Sequence, residues 1–108
     1  MENTITKVSE ITAQDVAIYL RLPEVTTSDT TTLNNLIGIA KSFITSYTGQ
    51  TDLDNYPDFV IVVFVLCQDM WDNRTLYVDK SNLNKVVDAI LGMHSSNLLP
   101  ETEDGNGD

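Results

Sequence analysis

Basic side chains are scarce in this chain. Six lysines and arginines stand against 16 aspartates and glutamates, which gives a formal net charge of −10. Such a surface repels the nucleic-acid backbone, because proteins gain affinity for phosphates mainly through Lys and Arg that displace counterions. It also provides no polybasic segment for anionic lipid. The charge balance argues against gripping DNA or a membrane surface, but it is compatible with guiding DNA that is not held.

Cysteine and long apolar runs are equally rare. Cys67 is the only cysteine, which excludes a disulfide framework and a cysteine-based metal cluster. The apolar run around it, residues 59–67, is about half the length that spans a bilayer, so we expect no membrane span and a buried Cys67. Residues 1–10 are polar and carry no export signal. The expected compartment is a reducing cytosol or a particle assembled there.

Capping residues and apolar periodicity predict an all-α fold, a small bundle of four helices around a central apolar helix. The helices are expected at residues 13–21, 30–48, 57–74 and 82–94. Their expected N-caps are Thr12, then Ser28 or Asp29, and Ser81 for the last helix; Gly49 ends the second. Residues 76–80 are predicted to form a short extended piece or a turn. Residues 1–99 then form one domain, and residues 100–108, acidic and without apolar side chains, a disordered tail.

The third segment admits two interpretations. Its run FVIVVFVLC is rich in β-branched and aromatic residues, which favours a strand. Its length favours a helix, because the pattern continues through Trp71 without a turn signal and Pro57 suits a first helical turn. We predict a helix, and an apolar first half on all sides places it at the centre of the bundle.

Three carboxylates in one loop raise the question of a cation site. Asp52, Asp54 and Asp58 lie close together in sequence. An EF-hand loop beginning at Asp52 would need glycine where Pro57 stands and glutamate where Val63 stands. The match fails, and a solvated acidic loop is the favoured interpretation.

The sequence shows no catalytic pattern. His94, the only histidine, has no nucleophile motif beside it and is expected to be structural or exposed. Asp69 and Asp72 share a helix face, which suits the polar side of a helix better than acid–base chemistry, and Arg74 is a candidate to balance them. No glycine-rich phosphate loop is present. We assign no catalytic, cofactor-binding or metal-binding residue and expect no enzyme.

One cluster is suited to protein contact. The end of the third helix and the residues after it contain Met70, Trp71, Arg74, Leu76 and Tyr77. Trp, Tyr and Arg are the residue types that contribute most energy at protein interfaces. The other interpretation is that Trp71 and Tyr77 close the bottom of the core, and the sequence favours neither role over the other.

The order of these elements resembles the phage head–tail connector family, the small head-completion or DNA-packaging proteins of long-tailed bacteriophages and prophages. The likeness lies in YLRL at residues 19–22, residues 40–44 and 47–49 of the segment ending FITSYTG, Pro57, and WDNR at residues 71–74. It covers roughly residues 11–99. Trp71-Asp72 replaces the family's usual Tyr-Glu, the third helix is unusually β-branched, and the acidic tail is not a family feature.

The resemblance implies a structural adaptor without an active site. Several copies would form a ring under the portal protein, extend the channel for double-stranded DNA, and contact a tail-side connector protein. The expected location is the head–tail junction of the virion, with assembly in the host cytoplasm. A ring requires a heterologous interface that closes by rotation, and the cluster from Met70 to Tyr77 is the candidate for it.

Two other functions compete with the adaptor. A small acidic helical binding or regulatory protein, such as an inhibitor or DNA mimic, would also have this composition. An enzyme with an acidic metal site would draw on Asp52, Asp54, Asp58, Asp69 and Asp72.

Overall fold

Four α-helices form the fold, and no β-strand occurs among residues 5–95, the part of the chain that the computed structural model describes. The helices are α1 (Ala13–Tyr19), α2 (Thr27–Thr48), α3 (Phe59–Asn73) and α4 (Lys85–His94), with short 3-10 helices at Val8–Glu10, Leu53–Asn55 and Lys80–Asn82. The all-α prediction is confirmed, and the ambiguous third segment is a helix. The predicted tail, residues 100–108, lies outside the described residues.

The same capping pattern opens α1 and α2. Thr12 Oγ1 accepts the Asp15 N–H at 3.2 Å, and the Asp15 carboxylate accepts the Thr12 N–H at 2.9 Å, which confirms Thr12 as the N-cap. Thr26 and Asp29 repeat this arrangement at 3.0 and 3.1 Å. The predicted cap of α2, Ser28 or Asp29, is therefore wrong, and α2 begins three residues earlier. The paired cap prevails because it satisfies two N–H groups at once.

The start of α4 also differs from the prediction. Asn84, rather than Ser81, is the N-cap, and its Oδ1 accepts the N–H of Val86 at 2.8 Å. Ser81 lies in the preceding 3-10 helix, where its N–H donates to Asp79 Oδ1 at 3.1 Å. Asp79 and Asn84 thus define two successive local turns. Of residues 76–80, predicted to be a short extended piece or a turn, Leu76 and Tyr77 form a bend and Lys80 begins the 3-10 helix.

The start of α3 is shifted by two residues. Pro57 and Asp58 form a turn, and the helix begins at Phe59. The Asp58 side chain makes no capping hydrogen bond to α3. Its carboxylate contacts the His94 ring instead.

An arginine occupies the left-handed backbone region after both α1 and α3. Arg21 has φ 61° and Arg74 has φ 56°, so neither belongs to the helix in which it was predicted. In both places the following N–H donates to a carbonyl five residues back, at 3.1 Å after α1 and 3.0 Å after α3. This helix ending normally uses glycine, and a residue with a Cβ costs roughly 1–2 kcal/mol there.

Helix α3 is central, because it packs against α1, α2 and α4. Its buried side chains are Phe59, Val60, Val62, Val63, Leu66, Cys67 and Met70, and the largest buried partners from the other helices are Val16, Leu33, Leu36, Ile44, Val87 and Leu91. Each such side chain contributes roughly 1.5–3 kcal/mol of burial free energy. One strip of α3 nevertheless reaches the surface. Ile61 is 40% exposed, and the half-buried Phe64 is covered by the Tyr19 ring at a centroid distance of 5.1 Å.

Two exposed helical glycines provide a stability prediction. Gly38 in α2 and Gly92 in α4 have no atom within 4 Å of where a Cβ would lie. Glycine in a helix interior costs roughly 0.5–1 kcal/mol relative to alanine. We expect Gly38→Ala to raise the free energy of unfolding by about that amount, and Gly92→Ala, in the last turn, by less. Urea denaturation measures both.

Gly49 is the contrasting control. It confirms the predicted glycine ending of α2, with φ 77°, in the left-handed region. Gly49→Ala should therefore destabilise the fold by about 1 kcal/mol. A loss of stability in Gly38→Ala comparable to that of Gly49→Ala would contradict the prediction.

Candidate interaction surface

The predicted interface residues divide between core and surface. Met70 is only 2% exposed and belongs to the core, so its prediction as a contact residue is corrected. Leu76 and Tyr77 are 64% and 63% exposed. Trp71 is half-buried and packs against the core, so it closes the core as one interpretation required, whereas Tyr77 does not. Trp71, Arg74, Leu76 and Tyr77 are referred to below as the exposed corner.

Leu76 stands between two shallow clefts. One has a volume of about 250 Å³ and is lined by Asp29, Thr32, Leu36, Met70, Trp71, Arg74, Thr75 and Leu76. The other, of about 550 Å³, runs along α2 and is lined by Asn34, Asn35, Gly38, Ile39, Ser42 and Leu76. The second contains no charged side chain. An exposed leucine next to two depressions gives the surface both a protruding side chain and clefts that could receive one. Such shape complementarity is typical of protein contact surfaces.

Arg74 does not balance the acids of α3. Among residues 5–95 the only ion pair within 4.0 Å joins Asp58 and His94, so the predicted partnership of Arg74 with Asp69 and Asp72 is wrong. Arg74 is exposed and lines the cleft beside Trp71. An exposed guanidinium at this corner is available to an external partner.

The negative charge of Asp72 acts on the neighbouring Asp69 carboxyl. Partial burial raises the pKa of the Asp69 carboxyl, and the negative charge of Asp72 raises it further. Their predicted position on one face of α3 is consistent with this repulsion. No hydrogen-bond donor from the described residues reaches the Asp69 carboxylate; the Asn73 amide nearby donates to the Asp69 carbonyl instead, at 2.8 Å.

The three acids of the α2–α3 connection have three separate partners. Asp52 accepts from the Asn55 side-chain amide at 3.0 Å, and Asp54 accepts the Ser9 N–H at 2.9 Å, which lowers the pKa of Asp54. Asp58 Oδ2 lies 2.7 Å from a ring nitrogen of His94. In residues 5–95 no three His, Cys, Asp or Glu side chains are placed to hold one metal ion. The five carboxylates considered for an acidic metal site do not converge.

The pairing of His94 with Asp58 was not predicted. The ring of His94 lies against Tyr56, at a centroid distance of 4.8 Å, and meets the Phe59 ring edge-on at 5.2 Å. Gln50 completes the cluster, since its Nε2 donates to the His94 carbonyl at 2.9 Å and its Oε1 accepts from the Tyr56 hydroxyl at 3.0 Å. The cluster ties the end of α4 to the α2–α3 connection, which is a structural role. His94 is too far along the chain from the other residues of this cluster for any local spacing to reveal it.

None of the helices within residues 5–95 combines the length and the apolar content needed to cross a bilayer.

Comparison with known proteins gives no relative, since no protein-family model, curated protein or solved structure matches this chain.

Proposed function

We propose that this chain is a structural adaptor of a tailed phage or prophage, whose copies form a ring under the portal, extend the DNA channel and join head to tail. The proposal begins from the family resemblance. The quoted motifs fall at element ends: YLRL spans the end of α1, FITSYTG the end of α2, and WDNR the end of α3. The resemblance associates these motifs with helix ends, whereas Pro57, which it associates with the start of the third helix, lies in the turn before α3.

The exposed corner is the observation that carries the proposal. Leu76 and Tyr77 hold large apolar surfaces in water, although a buried position would stabilise each by roughly 1.5–3 kcal/mol. Arg74 keeps a strained backbone at a place where glycine would be easier. Backbone strain and exposed apolar area that occur together, as they do at this corner, are typical of a surface used for contact rather than for stability.

The charge of the chain agrees with the proposed place in the particle. A channel wall must let DNA slide, and a subunit with a net charge of −10 does not gain affinity through counterion release. The uncharged cleft on α2 beside Leu76 gives two such subunits a place to meet without direct repulsion between like charges.

Self-association at high protein concentration tests the proposal, with two matched variants. Leu76→Asp places a charge in the exposed corner, whereas Met93→Asp places one at an equally exposed apolar position on α4, where Met93 is 70% exposed. We expect the wild-type chain and Met93→Asp to form closed oligomers of one size in sedimentation velocity, and Leu76→Asp to stay monomeric.

Two outcomes count against the proposal. A wild-type chain that is monomeric at every concentration and also ignores capsids carrying a portal would exclude the adaptor and favour the small acidic binding protein. If Leu76→Asp and Met93→Asp lose assembly equally, the effect is not specific to the exposed corner, and its assignment to the interface is contradicted. Neighbouring genes for a portal, a major capsid protein and a tail protein would support the adaptor independently.

A further inference from the structure

A third cleft, more enclosed than those beside Leu76, separates the second half of α3 from the connection that follows it. It has a volume of about 480 Å³. Its lining is apolar where Leu66, Met70, Val78 and Leu83 contribute, and polar where Asp69, Asn73, Thr75, Asp79 and Asn82 contribute, with Tyr77 at the edge. We name it the Asp69 cleft. Leu66 and Met70 are buried, so they form its floor.

The carboxylate of Asp69 lacks a partner that its surroundings would favour. It is half-buried on the wall of the cleft, and no described residue donates a hydrogen bond to it. Removal of water from a carboxylate is unfavourable unless a donor or a positive charge replaces that water. Neither a lysine nor an arginine lines the cleft. The wall therefore favours a cationic donor from outside this chain.

Two further features of the cleft select among cations. The Asp79 carboxylate is held in position, because it accepts the Ser81 N–H at 3.1 Å and the Asn82 side-chain amide at 2.9 Å. The Tyr77 ring is 63% exposed at the edge and offers an aromatic face. A guanidinium stacks on aromatic rings and forms forked hydrogen bonds with carboxylates, and its methylene stem suits an apolar floor.

We infer that the Asp69 cleft receives an arginine side chain of a different protein. The stem lies over Leu66 and Met70, and the guanidinium lies between the Asp69 carboxylate and the Tyr77 ring. A second copy of this chain is a poor source, since the chain has only two arginines, Arg21 and Arg74, and Arg74 belongs to the exposed corner that the proposed ring uses for contact between copies. The inference rests on the proposed function at one point. If the chain is an adaptor, the protein that carries this arginine on its contact surface is the portal or the tail-side partner.

Nuclear magnetic resonance with a small probe tests the inference on the folded chain. N-acetyl-arginine amide is titrated into 15N-labelled protein at low concentration, with N-acetyl-lysine amide as the second arm. We expect the arginine probe to shift the amides of Asp69, Asn73, Tyr77 and Leu83 with millimolar affinity, and the lysine probe to bind more weakly. Asp69→Asn, which keeps the shape of the side chain, should reduce the affinity for the arginine probe about tenfold.

Glu24→Gln is the matched control, because it removes the same charge from an exposed position in the α1–α2 connection and should leave binding unchanged. Shifts spread over the whole acidic surface, equal binding of both probes, or full affinity in Asp69→Asn would each overturn the inference. Leu76→Asp separates this question from ring formation, since it should abolish assembly and still bind the arginine probe. If the chain never assembles but binds the arginine probe as expected, the adaptor proposal is refuted and the inference about the Asp69 cleft stands.

Discussion

Phe59→Ala should lower the free energy of unfolding by about 3–5 kcal/mol, the largest effect that we expect from a single truncation. Phe59 is fully buried, and its ring contacts Tyr56 at a centroid distance of 5.0 Å and His94 at 5.2 Å. Removal of the ring leaves a cavity where the start of α3, the α2–α3 connection and the end of α4 meet. Urea denaturation of the wild-type and variant proteins measures the loss.

Ile61→Ala is the control for this experiment. Ile61 lies two residues further along α3 but is 40% exposed, so its truncation removes less buried surface and should cost about 1 kcal/mol or less. Equal losses in the two variants would show that position in the core does not determine the effect. A much larger loss at Ile61 would show that the exposed strip of α3 is covered in solution.

The second large effect is the response of Cys67 to alkaline pH. Burial raises the pKa of the Cys67 thiol from 9.0 to about 12. Between these values the unfolded chain loses the thiol proton while the folded chain keeps it, so the free energy of unfolding falls as pH rises. The slope is about 1.4 kcal/mol per pH unit for this group, and below pH 9 the contribution of the thiol to stability is fully present.

Cys67→Ala separates this thiol from the other groups that titrate in the same range, including Tyr47, whose hydrogen bond to Asp88 raises its pKa. The variant should be less stable at pH 8 because a cavity replaces the sulfur, and its stability should decline less steeply from pH 9 to 10.5. In the wild-type chain at pH 8, a thiol reagent such as 5,5′-dithiobis(2-nitrobenzoic acid) should modify Cys67 only as fast as the chain unfolds. Identical slopes, or rapid modification of the folded chain, would contradict the burial argument.

Much of the fold is predictable from the sequence because its signals are local. The paired cap at Thr12, the glycine end at Gly49 and the central position of α3 all follow from spacing within one or two turns. The errors arise where two local signals compete. Thr26 prevails over Ser28 because of the acid at N3, and Asn84 prevails over Ser81 because its Oδ1 accepts the N–H groups of both Val86 and Val87.

The candidate surface is less predictable, since exposure depends on contacts that are distant in the chain. The burial of Met70 could have been foreseen, because it continues the helical stripe of Phe59, Val63 and Leu66. The pair of Asp58 and His94, 36 residues apart, has no sequence signal of its own. Clefts form where elements meet, so neither the Asp69 cleft nor the hollows beside Leu76 could be read from composition.

The β-branched run at the start of α3 has a consequence for the unfolded chain. Tertiary burial holds residues 59–67 in a helix against their own preference for a strand. Once released, the segment FVIVVFVLC has high β-propensity, no charge and no proline, which are the features of sequences that stack into cross-β fibrils. The folded bundle therefore keeps this segment from pairing with other chains. When the bundle unfolds at high protein concentration, refolding competes with aggregation.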